Sequence, residues 1–76
     1  MILPNRHLRP ELSLLGVGAI LLRILQRPMT PSAAWEIARA YKAITTFRRY
    51  VLGLDMLYAI GAIELRDGLL VRTEGK

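Results

Sequence analysis

The sequence predicts a mainly α-helical domain with a small C-terminal β-hairpin, the arrangement of a winged helix-turn-helix. Three segments carry apolar residues at helical spacing, and each of them begins near a proline or a threonine. Two short apolar runs then flank Asp67-Gly68, a dipeptide that favours a tight hairpin turn. We expect an extended N-terminal arm over residues 1–9, a winged-helix domain over 10–73 and a frayed tail over 74–76.

The amino-acid composition indicates more apolar surface than a chain of this size can bury. Apolar residues make up 53% of the 76 residues, against roughly 45–50% in an average domain. A domain of this length buries only about 60% of the surface that its unfolded chain exposes. With no cysteine and one histidine, His7, neither a disulfide nor a metal cluster is expected to support the fold. The excess predicts an interface with a second protein.

The positive charge of the chain predicts an anionic partner. The net charge is +5 and the sequence pI is near 10.5, which suits nucleic acid or an acidic protein surface equally well. The apolar run from Leu14 to Leu22 is far shorter than the roughly 18 residues that cross a bilayer. We therefore expect no secretion signal, no membrane association and a cytoplasmic protein.

The first helix is expected from Pro10 to about Gln26. A proline fits the first turn of a helix, and Glu11 beside it suits the positive end of the helix dipole. The helix is apolar around most of its circumference, which indicates burial on most sides. Gly16 and Gly18 each cost about 1 kcal/mol relative to alanine in a helix, so we expect another segment to approach the backbone closely there.

The second helix is expected from Pro31 to about Ala43. Thr30 is a suitable N-cap, and Pro31 follows it at the first helical position. Trp35 is interpreted as a core residue, with a docking role as the alternative. The residues predicted to face inward are Ala34, Ile37, Ala38 and Tyr41, and those predicted to face solvent are Glu36, Arg39 and Lys42.

The third helix is expected to begin after Thr45 or Thr46 and to stop at Gly61. Its core face is predicted to carry Phe47, Tyr50, Val51, Leu54, Leu57 and Tyr58. In a DNA-binding winged helix this helix would enter the major groove and read bases with polar side chains. The outer face instead offers Leu52, Asp55, Met56 and Ala59, which favours protein binding over DNA reading.

No set of residues in the sequence indicates catalysis. The six acidic residues form no carboxylate pair on one helix face, and His7 has no serine or cysteine nucleophile near it. Gly16 and Gly18 lie inside a helical pattern and lack the lysine of a phosphate-binding loop. The protein is therefore predicted to be non-enzymatic, with no cofactor and no metal.

Two groups of residues are candidates for binding. The apolar group is expected to contact larger protein subunits or a second copy of the chain, and consists of Pro4, His7, Leu14, Val17, Ile20, Leu21, Leu52 and Met56. The basic group would contact DNA phosphates in a small transcriptional regulator. The alternatives are a solvated basic surface or a rim of contacts to an acidic protein partner. It consists of Arg48, Arg49, Arg66 and Arg72.

The segments "LPNRHLRPELSLLGVGAILLRIL" and "LGLDMLYAIGAIELRDGLLVR" resemble the small winged-helix middle components of bacterial ABC-three-component systems. The most specific parts are the "P-N-x-H" arm and the "L-D-x-L-Y-x-x-G-x-I" stretch with its Asp-Gly turn. The positions that match this pattern are Pro4, Asn5, His7, Arg9, Leu54, Asp55, Leu57, Tyr58, Gly61, Asp67 and Gly68.

The resemblance implies a non-catalytic subunit that bridges or regulates an SMC-like or AAA-type ABC ATPase and an effector, in a complex that defends bacteria against phage or other foreign DNA. An adaptor that assembles with larger proteins or with itself is therefore the first hypothesis. A small winged-helix DNA-binding regulator is the second. A third is an antitoxin-like or phage-encoded inhibitor, which would share the small size and the apolar surface.

Overall fold

The computed structural model describes residues 14–73, which form three helices followed by a two-stranded antiparallel hairpin. The elements are α1 (Leu14–Ile24), α2 (Pro31–Ala38), α3 (Phe47–Ala59), β1 (Ile63–Arg66) and β2 (Leu69–Arg72). The predicted fold class, mainly helical with a small C-terminal hairpin, is confirmed, and the layout agrees with that of a winged helix. The predicted arm over residues 1–9, the helix start at Pro10 and the tail over 74–76 lie outside the described residues.

Threonine side chains cap the starts of α2 and α3, as the sequence predicts. Thr30 has an extended backbone, and its hydroxyl oxygen accepts a hydrogen bond from the backbone N–H of Ala33 at 3.0 Å. The hydroxyl oxygen of Thr46 likewise accepts a hydrogen bond of 3.2 Å from the backbone N–H of Arg49. Thr46 rather than Thr45 is therefore the N-cap of α3. Both caps satisfy donors that the first turn of a helix leaves unpaired.

α2 ends at Ala38, and the prediction that it continues to about Ala43 is wrong. The backbone N–H groups of Ala40 and Tyr41 bond to the carbonyl oxygens of Ile37 and Ala38, three residues earlier. Bonds of this spacing wind the chain more tightly than an α-helix and end it in turns. Tyr41, which was predicted to face inward, therefore leaves the helix and is 43% exposed. Ile37 was also predicted to face inward but is 44% exposed, because the buried face of α2 is formed by Ala34 and Ala38.

α1 and α3 pack against each other in the core, and each helix has a glycine at the contact. A Cβ atom on Gly53 would lie only 2.6 Å from Val17 Cγ1 and 2.9 Å from Leu21 Cδ1. A Cβ atom on Gly18 would overlap the terminal methyl group of Met56. The predicted close approach at Gly18 is therefore confirmed, and Gly53 is its counterpart on α3.

The core itself is apolar throughout the described residues, with no buried charged or polar side chain apart from the Tyr50 phenol. Its members come from every helix, the turn before α3 and both strands. They are Val17, Leu21, Ile24, Leu25, Ala34, Ala38, Ile44, Tyr50, Leu57, Ile63 and Leu70.

The hairpin joins β1 and β2 through Asp67 and Gly68, which have φ angles of 55° and 80°. A two-residue turn with two consecutive positive φ angles has a backbone twist that matches the right-handed twist of the strands it joins. A third backbone segment lies beside it, because Met29 and Leu70 exchange two backbone hydrogen bonds of 3.2 and 2.7 Å. This bridge, which ties the α1–α2 connection to β2, was missed because a single paired residue has no periodicity in the sequence.

None of the helices within residues 14–73 has the length and apolar content that a membrane span requires.

Candidate protein-interaction surfaces

Nine large hydrophobic side chains of the described residues are exposed to solvent. Scattered exposed hydrophobic residues are ordinary on a protein surface, whereas contiguous apolar patches mark binding surfaces. Here the exposed residues concentrate along α3, on α1 and on β1. The nine are Leu14, Leu15, Ile37, Tyr41, Phe47, Leu52, Tyr58, Ile60 and Leu65.

The apolar face that the sequence predicts for the third helix is only partly a core face. Tyr50 and Leu57 are buried as predicted, whereas Phe47 and Tyr58 are 57% and 62% exposed, so the prediction that they pack inside is wrong. The reason is the position of α1, which packs on the Gly53 side of α3. The other flank of the apolar stripe therefore stays uncovered.

This uncovered flank forms one wall of an apolar groove, which we call the α3 groove. The start of α2 forms the facing wall, and β1 closes one end. The groove consists of two adjoining hollows of about 210 and 190 Å³, which share Pro31 and Leu54 as lining residues. We define the α3 groove by Pro31, Trp35, Phe47, Val51, Leu54, Tyr58 and Leu65.

An aromatic cluster lines the end of the groove opposite to β1, near the start of α3. The ring centroid of Trp35 lies 5.2 Å from those of Phe47 and Tyr50, and the Phe47 ring packs edge-on at 85°. Edge-to-face pairs at this distance stabilise by about 0.5–1.5 kcal/mol beyond the area they bury. Trp35 is half-buried and packs against the core, and it also lines the groove. Its interpretation as a core residue agrees with this packing.

Tyr50 holds the two walls of the groove together. Its hydroxyl group donates a hydrogen bond of 2.5 Å to the backbone carbonyl oxygen of Pro31, the first residue of α2. Burial raises the pKa of Tyr50 to about 12, because the charged phenolate would be poorly solvated there. The phenol therefore remains a donor over the whole physiological pH range.

The structure divides the predicted apolar interface between core and surface. Val17 and Leu21 are 0% exposed and pack against Gly53 inside the domain, so their assignment to an interface is corrected to the core. Pro4 and His7 lie outside the described residues.

Three of the remaining residues of that group, Leu14, Leu52 and Met56, lie along the side where α1 meets α3. Leu14 and Leu52 are 41% and 42% exposed, and Ile20 and Met56 are half-buried. Leu52 and Met56 are one turn apart on α3, and Met56 reaches Gly18, one turn along α1 from Leu14. We call Leu14, Leu52 and Met56 the α1–α3 seam.

Two of the four arginines predicted to contact DNA lie at the start of α3. Arg48 is exposed. Arg49 is half-buried, and its Nε donates a hydrogen bond of 2.7 Å to the backbone carbonyl oxygen of Ala43. Arg49 therefore supports the turn before α3, whereas Arg48 points into solvent.

The other two arginines lie on the hairpin and border a separate cleft. Arg66 forms an ion pair with Glu64, and Arg72 donates a hydrogen bond of 3.3 Å to the carbonyl oxygen of Leu22 near the end of α1. The cleft measures about 390 Å³, and Arg27 is a third guanidinium group in its lining. Arg27 was not singled out in the sequence, although its place just after the predicted helix end is typical of a helix C-terminal cation.

Comparison with protein families gives a match over residues 3–74 to the model of the ABC-three component (ABC-3C) system Middle Component 6. No curated protein and no solved structure matches the chain. The matched span includes residues 3–13, all three helices and the hairpin, and it confirms the resemblance to a middle component of such a system. This chain therefore belongs to the family of ABC-3C system Middle Component 6 proteins, which are components of a multi-protein system.

Proposed function

We propose that this protein is a non-catalytic adaptor that bridges or regulates an ABC-type, SMC-like ATPase and an effector protein in a bacterial defence complex. Its family membership supports a role among other protein subunits. The observation that carries the proposal is the α3 groove, in which Phe47, Tyr58 and Leu65 are all more than half exposed. An apolar groove with aromatic walls is the kind of surface that proteins use for binding other proteins.

Two separate apolar surfaces support a bridging role. Leu52 of the seam follows Val51 of the groove in the sequence, and successive residues of an α-helix are turned by about 100° around its axis. The α1–α3 seam and the α3 groove therefore face different directions. Two partner proteins can occupy them without competing for the same residues.

The positive charge suits such contacts. The chain has a net charge of +5, and the exposed Arg39 guanidinium lies 5.9 Å from the centre of the Trp35 ring at one end of the groove. Arg39 also pairs with Glu36 at 3.5 Å, and the exposed Arg48 follows Phe47 in the sequence. Basic residues beside an apolar patch favour a partner with acidic residues near its own apolar contact, and they increase the rate of association. We therefore expect the partner at the groove to present an apolar segment with acidic flanks.

Co-expression of the tagged chain with the products of the neighbouring genes, followed by native mass measurement, tests the adaptor role. We expect one complex that contains both partners and that falls apart when this chain is left out. The variant Leu52→Glu should lose the partner bound at the seam, and Tyr58→Glu should lose the partner bound at the groove. Circular dichroism should show unchanged helix content in both variants.

Ile37→Glu is the matched control for this experiment. Ile37 is 44% exposed, close to the 42% of Leu52, and it belongs to neither surface. This variant should retain both partners. Retention of both partners by Leu52→Glu and Tyr58→Glu, or the absence of any partner with the wild-type chain, contradicts the proposal.

A DNA-binding regulator is the second candidate, favoured by the three arginines that border the cleft beside the hairpin. Arg27, Arg66 and Arg72 present a positive surface that suits backbone phosphates. Duplex binding would then fall steeply with salt. Arg27→Ala with Arg72→Ala should weaken such binding, and the absence of any mobility shift at about 50 mM salt excludes this candidate.

A further inference from the structure

The outer edge of β1 has backbone groups that point away from the rest of the hairpin. Leu70 uses both its N–H and its C=O to pair with Met29, on the side of β2 opposite to β1. Because Leu65 faces Leu70 in the β1–β2 register, the pair Leu65–Leu70 exchanges no backbone hydrogen bonds. The N–H and C=O of Leu65 therefore point outward from the sheet.

In a β-strand, the backbone N–H and C=O groups of successive residues point alternately to opposite edges, so the direction found for Leu65 fixes the direction for the rest of β1. The backbone N–H of Thr73 donates a hydrogen bond to the carbonyl oxygen of Ala62. In β1, the backbone N–H and C=O groups of the even-numbered residues therefore point toward β2. Ile63 and Leu65 therefore present their backbone groups at the outer edge. Within residues 14–73, no segment other than β2 pairs with β1. An edge strand of this kind is a template for pairing with another strand.

The side chains of β1 are complementary to the same strand running in the opposite direction. The strand reads Ile-Glu-Leu-Arg, so a two-fold axis at Leu65 places Glu64 of one chain opposite Arg66 of the other, twice. A pairing in which Ile63 faces Leu65 would instead place Glu64 opposite its own copy, which is unfavourable. Charge therefore selects the register centred on Leu65.

We propose that the protein forms a symmetric dimer in which the β1 strands of two copies pair antiparallel, with Leu65 facing Leu65 of the second copy. The paired Leu65 residues exchange two backbone hydrogen bonds, and the Glu64–Arg66 ion pair that exists within each chain is supplemented by two pairs between chains. The four strands then form one continuous sheet. This dimer covers Leu65 at the β1 end of the α3 groove and leaves Phe47 at the other end exposed. It is tested on the chain alone, without the partners of the adaptor role.

The apolar surface beside β1 supports the same pairing. Leu65 is 55% exposed and lines the end of the α3 groove beside Tyr58, which is 62% exposed. Facing residues of an antiparallel pair have Cβ atoms about 5 Å apart on the same face of the sheet. The Leu65 side chains therefore contact each other and cover apolar surface that is exposed in the single chain.

Charge reversal with mixing tests the register. Glu64→Arg alone places arginine opposite Arg66 of the second copy, and Arg66→Glu alone places two glutamates opposite each other. Each variant should dimerise at least about tenfold more weakly than the wild type in sedimentation equilibrium. An equimolar mixture of the two should restore the dimer, because the unlike chains regain both cross-strand ion pairs. The ion pair within each chain is lost in both samples, so it cannot explain the restoration.

Disulfide trapping provides the second measurement, because the chain has no cysteine of its own. In the proposed register the two Leu65 Cα atoms lie about 5.5 Å apart, within the roughly 4.4–6.8 Å that a disulfide spans. Leu65→Cys should form a covalent dimer under mild oxidation at least about tenfold faster than Phe47→Cys. Phe47 is a matched control, since it is 57% exposed, against 55% for Leu65, and lies at the far end of α3.

Two results overturn the proposal. One is a single-chain mass for the wild type at roughly 100 µM together with equal trapping rates for the two cysteine variants. The other is a dimer that forms but that neither charge reversal weakens, or that mixing does not restore, because the contact would then lie elsewhere on the molecule.

Discussion

Gly53 of α3 faces Val17 of α1 so closely that a Cβ atom on Gly53 would lie 2.6 Å from Val17 Cγ1. The same atom would lie 2.9 Å from Leu21 Cδ1, and both side chains are fully buried. Gly53→Ala should therefore destabilise the domain by about 1–3 kcal/mol through overpacking, although alanine is the better helix former by about 1 kcal/mol. Urea denaturation followed by circular dichroism measures this change.

Gly18→Ala is the control for that substitution. Its nearest obstacle is the flexible end of Met56, followed by Leu57 Cδ2 at 3.2 Å. Because methionine can change rotamer at low cost, we expect a stability change within about 1 kcal/mol of zero. Equal stability of Gly53→Ala and the wild type would show that the helices are not in close contact at Gly53.

Tyr50 should make the domain less stable in strong base. Its pKa is raised from 10.0 to about 12, so between these values the unfolded chain loses the phenol proton while the folded chain keeps it. This contribution to the free energy of unfolding is fully present below pH 10 and is lost as the pH rises towards 12. Tyr50→Phe should be less stable at neutral pH by about 1 kcal/mol and should show a smaller loss in this window.

Urea titrations of the wild type and Tyr50→Phe at a series of pH values from 8 to 12 distinguish the two profiles. The two proteins differ only at position 50, so the difference between the profiles isolates Tyr50. Parallel profiles would show that the Tyr50 phenol is as well solvated in the folded chain as in the unfolded one.

Thr45 has a φ angle of 50°, which is costly for a β-branched residue. Its hydroxyl donates a hydrogen bond of 2.6 Å to the carbonyl oxygen of Lys42, which offsets part of the cost. Thr45→Asn should stabilise the domain by up to about 1 kcal/mol, because asparagine adopts this conformation more easily. Thr45→Ala should destabilise it by about 1 kcal/mol, because the loss of the hydrogen bond outweighs the relief of part of the strain. Thermal denaturation should show melting temperatures that change in opposite directions.

Arg48 and Arg49 are neighbours in sequence but should differ in their effect on folding. Arg49→Ala removes the 2.7 Å hydrogen bond to Ala43 and should cost about 1–3 kcal/mol, whereas Arg48→Ala should change stability by less than about 0.5 kcal/mol. Chemical denaturation of the two single variants measures the difference. Arg48→Ala is therefore the appropriate variant for testing DNA contact at the start of α3, since a loss of binding by Arg49→Ala would also reflect a weakened turn. Equal stability of the two variants would contradict the role given to Arg49.

The element starts were predictable because they depend on local chemistry. Thr30 with Pro31 and Thr46 with Phe47 specify helix starts within one turn of the chain, and the structure has them there. The Asp67-Gly68 turn was predictable for the same reason. The end of α2 was not, since residues 39–44 have no glycine or proline, and the turn depends on the burial of Ile44 in the core.

The candidate surfaces were only half predictable. The exposure of Leu14 and Leu52 agrees with the apolar interface expected from the sequence, whereas Val17 and Leu21 are core residues. The α3 groove was not foreseen at all, because helical spacing identifies Phe47 and Tyr58 as apolar-face residues without showing which neighbour covers them.

Cap and turn residues act over three or four positions, so the order of the elements could be read from the chain without any knowledge of their packing. Burial is different, because it depends on where segments distant in the sequence come to lie. The absence of a side chain at Gly53 lets α1 pack closely on one flank of α3. On the other flank, Phe47 and Tyr58 remain exposed to solvent. That arrangement results from the steric fit between helices, and the spacing of apolar residues within one helix does not predict how two helices fit together.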